Sequence, residues 1–168
     1  MTDLITSRLV LHPLSVAEAT RIVGGTAGPD DTWADGFPGD GDRDAARMAV
    51  KAAGPAGVCL PASAAFTCYR IDCRRDHTAI GTIGFHGPPD KHHQATIGYG
   101  LVPHSWGNGY ATEALHALVE LCRTHSAVSS LAADTNHDNH ASQRVLTKSG
   151  FRLVRQDREL FYYELGLD

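Results

Sequence analysis

Short stretches of alternating apolar and polar residues recur along the chain, and this alternation predicts strands with one buried face. In the first stretch, SRLVLHPL, Leu9 and Leu11 fall on one side, and the strand is predicted to end at Pro13. Further strands are expected over about Ala65–Cys73, Ala79–Phe85 and Ala95–Val102. The segment SSLAADT predicts another strand, and FRLVRQDRELFYYELGL predicts a closing hairpin.

Two helices are predicted early in the chain, with a long loop between them. They extend over about Ser15–Val23 and Asp42–Ala53, each with its first residue as the cap. The connecting sequence, GGTAGPDDTWADGFPGDGD, is rich in Gly, Asp and Pro, yet it carries Trp33 and Phe37. Aromatic residues in such a loop either form a surface that closes over a substrate or pin the loop to the core, and both interpretations stay open.

Two more helices are predicted in the second half of the chain. Over about Tyr110–His125, apolar residues recur at helical spacings, so this helix buries one face. The segment HASQRVLTKS predicts a helix that is capped by Asn139 or Asp138 and ends at Gly150. Consecutive strands in mid-chain, followed by covering helices, predict one mixed α/β domain over residues 1–168.

Composition narrows the function classes. The chain has 168 residues, of which 42% are hydrophobic, as in ordinary globular proteins, and its net charge of −4 gives no case for nucleic acid as a partner. No apolar run approaches the ~20 residues of a membrane span, and the first residues lack the pattern of a secretory signal. The four cysteines form no CxxC pair, so free thiols and a cytoplasmic location are expected.

Histidines do not indicate a metal site. There are ten, including the adjacent pair His92 and His93 and the spaced pair His137 and His140. The HExxH motif is absent and no cysteine pair accompanies them, so we expect exposed loop histidines and no bound metal.

The segment WGNGYATEA joins a strand to the third predicted helix and contains two glycines, Gly107 and Gly109. The first N–H groups of a helix have no intrahelical partner, and glycine lets that backbone approach an anion closely. The segment is therefore either a phosphate cradle or a tight turn that binds nothing. No Gly-Lys-Ser/Thr follows, and Thr112 replaces the third glycine of GxGxxG, which argues against a P-loop and a dinucleotide fold.

Two linked motifs resemble those of the GNAT acetyltransferases, in particular the branch that contains the N-terminal acetyltransferases of ribosomal proteins. The first motif is VPHSWGNGYATEAL, and the second is DNHASQRVLTKSGF, which contains Asn139, Ser142 and Gly150-Phe151. The resemblance implies a GNAT-like α/β fold, in which a mixed, mostly antiparallel sheet of about six or seven strands is flanked by about four helices. The sheet would be splayed between strands 4 and 5, with acetyl-CoA in the gap.

The resemblance also implies which residues hold acetyl-CoA. The strand end at Leu101 and Val102 would hydrogen-bond the pantetheine arm as an added strand would, and Asn139 would bind the pantetheine side. The pyrophosphate would be held by backbone N–H groups of five residues, namely Gly107, Asn108, Gly109, Tyr110 and Ala111.

Departures from the family pattern affect the expected chemistry. Leu146 stands where many GNAT members have a tyrosine that protonates the leaving thiolate, so Ser142 is the expected acid, with a helix-start serine that bonds backbone as the alternative. Thr96 stands where a glutamate often serves as base. The candidate bases are then Asp35, His92, His93 and Asp134. Glu113 is interpreted as a first-turn carboxylate that favours the positive helix end.

The expected function is an acetyl-CoA-dependent N-acetyltransferase that acts by direct attack in a ternary complex. The acceptor would be a peptide N-terminus or a small-molecule amine, with Trp33 and Phe37 as candidate substrate-binding residues. A homodimer is compatible with this function. The missing tyrosine and glutamate support the alternative, a catalytically weak CoA-binding module that serves as a sensor or interaction partner.

Overall fold

The computed structural model describes residues 2–54 and 65–168. The strands are β1 (Leu4–Ile5), β2 (Leu9–Pro13), β3 (Cys68–Cys73), β4 (Ala79–Phe85), β5 (Gln94–Leu101), β6 (Ser130–Asn136), β7 (Arg152–Gln156) and β8 (Leu160–Gly166). The α-helices are α1 (Val16–Gly24), α2 (Asp40–Ala53), α3 (Tyr110–Arg123) and α4 (His140–Lys148), and a 3-10 turn covers Pro103–Ser105.

The eight strands of the described residues form one sheet in the order β1-β2-β3-β4-β5-β6-β8-β7. Every neighbouring pair is antiparallel except β5 and β6, which are parallel. The predicted mixed, mostly antiparallel GNAT-like α/β sheet with four helices is therefore confirmed. The strand that prediction missed is β1, whose two residues are too few to show an alternation.

The helices cover the two faces of the sheet. Thr82 of β4 donates to Asp42 of α2, so α2 packs on the face toward which Thr82 points, and α1 packs against α2. The neighbouring position in β4, Ile83, lies opposite Tyr99, which contacts Ser142 of α4. Side chains of successive strand residues point to opposite faces, so α4 lies on the other face, where α3 packs beside it.

Burial follows the predicted pattern closely. Leu9 and Leu11 of β2 are fully buried, and β4 is buried along its whole length because helices cover both of its faces. The face of α3 that the spacing predicted is buried at five positions: Ala114, Leu115, Leu118, Val119 and Cys122.

One of the two predicted early caps is correct. Ser15 caps α1 in a capping box with Glu18. The prediction for Asp42 is wrong, because α2 begins at Asp40 and its cap is Gly39. Asp42 instead accepts hydrogen bonds from the Gly39 N–H (2.9 Å) and the Thr82 hydroxyl (2.7 Å), and burial raises the pKa of this carboxyl. It fastens the start of α2 to the sheet.

Other predictions concern the third predicted strand segment and the cysteines. The strand expected from Ala65 begins at Cys68. Cys68, Cys73 and Cys122 are free thiols, and the fourth, Cys59, lies outside the described residues. Among the described residues, no helix has the length and apolar character that a membrane crossing requires.

Candidate active site

The sheet opens between β5 and β6. The two strands pair only over Gln94–Thr96 and Ser130–Ala132, and their remaining residues diverge. The sequence prediction did not include β1, so its strands 4 and 5 are β5 and β6 of the structure. The predicted splay between them is therefore confirmed. The opening is a cleft of about 230 Å³. It is lined by residues of both strands, by Asn139 at the start of α4 and by Ser142 in its first turn.

The backbone of β5 offers hydrogen-bonding groups to this cleft. His86 donates its N–H to Thr96 O, and Val102 donates its N–H to Ile80 O, so even-numbered residues direct their backbone groups toward β4. Backbone direction alternates along an antiparallel strand, so Tyr99 and Leu101 direct theirs toward the gap. No residue of β6 pairs with them within the described parts of the chain.

Leu101 and Val102, the two predicted pantetheine contacts, therefore differ in whether a backbone group is available to a ligand. Both backbone groups of Val102 are engaged, its N–H with Ile80 and its carbonyl with the N–H of Ser105. The Leu101 carbonyl accepts from the indole of Trp106 at 2.8 Å, which leaves its N–H for a ligand. Tyr99, which prediction missed, offers the next N–H along the gap.

The glycine-rich segment follows directly at the end of β5. Gly107 and Gly109 have φ angles of +75° and +78°, in the left-handed region that favours glycine, and Gly109 is the N-cap of α3. Within the described parts of the chain no side chain caps α3, so its first N–H groups are available as donors. Asn108 shapes the loop, because its side-chain amide donates to the carbonyls of Ser105 and Trp106. The segment has the geometry of an anion cradle.

Glu113 connects this segment to the residues that precede β2. Its carboxylate accepts hydrogen bonds from the hydroxyls of Thr6 (2.6 Å) and Ser7 (3.0 Å) and from the N–H (2.9 Å) and Nε (2.7 Å) of Arg8. Arg8 also donates to the carbonyl of Asn108 at 2.8 Å. The helix-end interpretation of Glu113 was thus incomplete, since this residue ties α3 and the loop to the start of β2.

The surroundings of Glu113 shift its acidity. Burial acts to raise the pKa of this carboxyl, but the hydrogen bonds from Thr6, Arg8 and Ser7 outweigh it and lower the pKa to about 2. The folded-state pKa lies below the unfolded value, so the carboxylate stabilises the fold fully above about pH 4.3 and loses this effect as pH falls toward the folded pKa.

We expect Glu113→Gln to reduce the free energy of unfolding by about 2 kcal/mol at pH 7, because an uncharged amide accepts these hydrogen bonds more weakly. The deficit should shrink below pH 4.3, where wild-type Glu113 begins to take up a proton in the unfolded state. Urea unfolding at pH 7 and pH 3.5 measures both effects. Glu120→Gln, at an exposed position of α3, is the matched control, and an equal loss in the control would contradict the prediction.

Ser142 and Tyr99 meet across the cleft on the α4 side. Asn139 caps α4 by accepting from the N–H of Ser142 at 3.1 Å, as predicted for the cap. The Ser142 hydroxyl lies 2.8 Å from the Tyr99 hydroxyl. Burial raises the pKa of Tyr99 to about 12, so its phenol keeps its proton at neutral pH. Leu146, at the position of the family's usual tyrosine, is buried in the core.

Comparison with known proteins identifies the family. Residues 8–152 match the profile described as the acetyltransferase (GNAT) domain. The chain belongs to this GNAT family. The uncharacterised N-acetyltransferase YoaA of Bacillus subtilis is 38% identical over 92 residues, which are 55% of this chain and 52% of YoaA. The alignment thus spans about half the length of this curated relative.

Solved structures share the fold over nearly the whole chain. The acetyltransferase of Agrobacterium tumefaciens strain C58 is 26% identical with a TM-score of 0.67, over 98% of this chain and 94% of its own. RimL, a ribosomal L7/L12 alpha-N-protein acetyltransferase solved in complex with coenzyme A, is 14% identical with a TM-score of 0.69, and 98% of both chains is covered. At 14% identity, the likeness to RimL shows the fold alone.

The candidate bases of this GNAT domain are separated in space. Asp134 of β6 lines the cleft, whereas Asp35, His92 and His93 are exposed in loops that do not line it. Sequence reasoning missed His86, the residue after β4, which does line the cleft. Among the described residues, no group of three or more His, Cys, Asp or Glu side chains is arranged to hold a metal ion.

Trp33 and Phe37 pack together, edge to face, with ring centroids 5.4 Å apart. Phe37 is buried, and Trp33 is half-buried against the core. Backbone hydrogen bonds on both sides of Trp33 join the loop to Ala79 at the start of β4. These contacts favour the pinned-loop interpretation, and a substrate contact by either ring stays a prediction.

Proposed function

We propose that this GNAT domain transfers the acetyl group of acetyl-CoA to a primary amine. The observation that carries the proposal is that backbone hydrogen-bonding groups available to a ligand follow one another from β5 to the start of α3. Backbone groups of β5 that pair with no described strand border the cleft, and they lead at Leu101 into the glycine-rich start of α3. An extended pantetheine arm followed by a pyrophosphate matches this order of a strand edge and then an anion cradle.

The described residues fit acetyl-CoA in charge and in shape. A Cβ atom at Gly107 would have no described atom within 4 Å, so the loop is accessible to a phosphate. The pyrophosphate would be bound by the backbone N–H groups from Gly107 to Ala111, as the family resemblance implies. The Arg8 guanidinium stands beside Gly109, where it is paired with the Glu113 carboxylate. Asn139 uses its carbonyl oxygen for the cap, which leaves its amide NH₂ to donate to the pantetheine.

Bound acetyl-CoA supplies an acetyl group activated as a thioester. The domain would orient it along β5, and an N–H of β5 in the gap would stabilise the developing oxyanion. Ser142 would donate a hydrogen bond toward the departing sulfur, with the neutral phenol of Tyr99 as its partner. Both substrates would be bound together, and the amine would attack directly.

The acceptor is proposed to be a peptide N-terminus or another amine of similar basicity. An α-amino group has a pKa of about 8, so a useful fraction is neutral and nucleophilic at physiological pH. A lysine amine, with a pKa of about 10.4, would depend more heavily on a strong base. Thr96 in place of the family's glutamate therefore favours the less basic class of amine.

The experiment combines ligand binding with turnover. Acetyl-CoA should raise the melting temperature, because a ligand that binds only the native state stabilises it. Release of free thiol should be measured with pooled N-terminal peptides and small amines. Stabilisation together with amine-dependent thiol release supports the transferase. Stabilisation with no release from any amine supports the CoA-binding sensor, and no stabilisation at millimolar acetyl-CoA overturns both.

A further inference from the structure

His86 occupies an unusual position at the rim of the cleft. Its ring lies directly over Gly98 of β5, and a Cβ atom at Gly98 would be only 2.6 Å from His86 Nε2. Any larger residue at Gly98 would therefore push the imidazole away. His86 is exposed and lines the same cleft as Ser142 and Asn139. The glycine thus positions an accessible imidazole beside the gap.

The strand register places His86 and Ser142 on opposite faces of the sheet. Gly84 lies opposite Gly98, so His86, two residues after Gly84, points to the same face as Gly98. Tyr99 is one residue after Gly98 and points to the other face, where it contacts Ser142. A molecule held in the gap would therefore have an imidazole on one face and a hydroxyl pair on the other.

The face of His86 is also the face of α2. Thr82 lies opposite Gly100, shares the face of Gly98, and donates to Asp42 of α2. The glycine-rich cradle leads instead into α3, which packs beside α4 on the Ser142 face. If CoA occupies the α3 and α4 side, the amine has the α2 side from which to approach, and His86 stands there.

We propose that His86 is the catalytic base that takes the proton of the acceptor amine, an inference that rests on the proposed acetyl transfer. Imidazole changes its charge state between about pH 5 and pH 8, which suits proton transfer from an attacking amine near neutral pH. Asp134 lies on the same face across the gap, because residues of β6 alternate and Ala132 pairs with Thr96. It is the alternative that the experiment tests.

In the proposed step, each proton that one group loses is taken up by another group or by solvent. The amine nitrogen forms a bond to the acetyl carbon and gives one proton to His86 Nε2. The carbon–sulfur bond breaks, and the sulfur takes a proton from the Ser142 hydroxyl, which regains one from solvent through Tyr99. His86 then releases its proton to solvent. The products are an amide and a thiol, and no oxidant or further reactant is needed.

The first test compares His86→Gln with wild type on two acceptors, a peptide with N-terminal alanine and an aromatic amine that is largely neutral at pH 7. For the peptide, kcat/KM should fall about 100-fold, within the range of general-base effects. The loss should be under about 10-fold for the aromatic amine, whose attack needs less help from a base. Acetyl-CoA affinity, measured by calorimetry, should be unchanged.

Three variants complete this test. His116→Gln, at an exposed site on α3, should behave like wild type. Gly98→Ala keeps the imidazole but displaces it, so it should reproduce the selective loss on the peptide. Asp134→Asn tests the alternative base. A selective loss in Asp134→Asn with full activity in His86→Gln would transfer the role to Asp134 and overturn the proposal.

A second measurement does not depend on turnover. Diethyl pyrocarbonate should modify His86 in the free protein, and mass spectrometry would follow the rate. The alanine peptide with desulfo-CoA should slow this modification more than desulfo-CoA alone, while modification of His116 should not change. Unprotected His86 in a protein that acetylates the peptide would overturn the proposal. Wild-type protein that acetylates no amine would instead overturn the proposed function, and this inference with it.

Discussion

Gly107→Glu is expected to weaken acetyl-CoA binding at least about 100-fold. A carboxylate about 4 Å from a phosphate costs roughly 4 kcal/mol at the effective dielectric constant near a protein surface, and 100-fold corresponds to about 2.7 kcal/mol. Gly107 is well suited to this test because a side chain there meets open space in the free protein. Its left-handed backbone makes any substitution destabilising by about 1–2 kcal/mol.

The matched control is Gly107→Lys, which has the same backbone strain and a similar length but the opposite charge. It should bind acetyl-CoA within about 10-fold of wild type, since the added positive charge offsets the steric cost. Calorimetry gives the two affinities, and thermal unfolding verifies that both variants fold equally well. Equal losses for glutamate and lysine would mean that sterics alone act here, and wild-type affinity in both would mean that the phosphates bind elsewhere.

Local signals explain why much of the architecture was predictable from sequence. The apolar spacing of α3 and the alternation of β2 record which side of each element is buried, and both matched the structure. Ser15 and Asn139 were recognisable as caps because a cap contacts backbone only three residues away. The family motifs then supplied the splay between β5 and β6, which no pattern within a single element reveals.

The site contacts that prediction missed join distant parts of the chain. Glu113 binds Arg8, which is 105 residues away, and Tyr99 binds Ser142, which is 43 residues away. Alternation in the segment ATIGYGL places Tyr99 on the same face as Ile97. Its partner could not be inferred, because the position of α4 over the gap is a tertiary property.

His86 shows a related limit. The sequence HGPP after β4 indicates a turn, and a histidine beside a turn carries no sign of its partner. Only the pairing of Gly84 with Gly98 brings the imidazole over a residue without a side chain. From the sequence alone, Gly98 would be interpreted as a residue that weakens its strand. In the structure it leaves space for the neighbouring imidazole ring.

Ser142→Ala is expected to lower kcat and kcat/KM together by about 10–100-fold, with acetyl-CoA affinity nearly unchanged. This loss is at most equal to the smallest typical general-acid effect, because a thiolate leaves readily even without protonation. An interaction made mainly in the transition state has this signature. The structure sharpens the expectation, since the Ser142 hydroxyl bonds the Tyr99 phenol, whereas the alternative was a backbone contact.

Tyr99→Phe tests whether the two hydroxyls act as a unit. It should lower kcat about 10-fold, and the double variant should be no slower than Ser142→Ala, because residues that act together have non-additive effects. Ser149→Ala, at the C-cap of α4, is the matched control, since the Ser149 hydroxyl is buried without a hydrogen-bond partner among the described residues. Turnover, affinity and melting temperature should be measured on the same preparations. Losses that multiply in the double variant would mean that the two hydroxyls act independently of each other. A lowered melting temperature with normal kcat in both single variants would assign the pair a structural role and leave protonation of the sulfur to solvent.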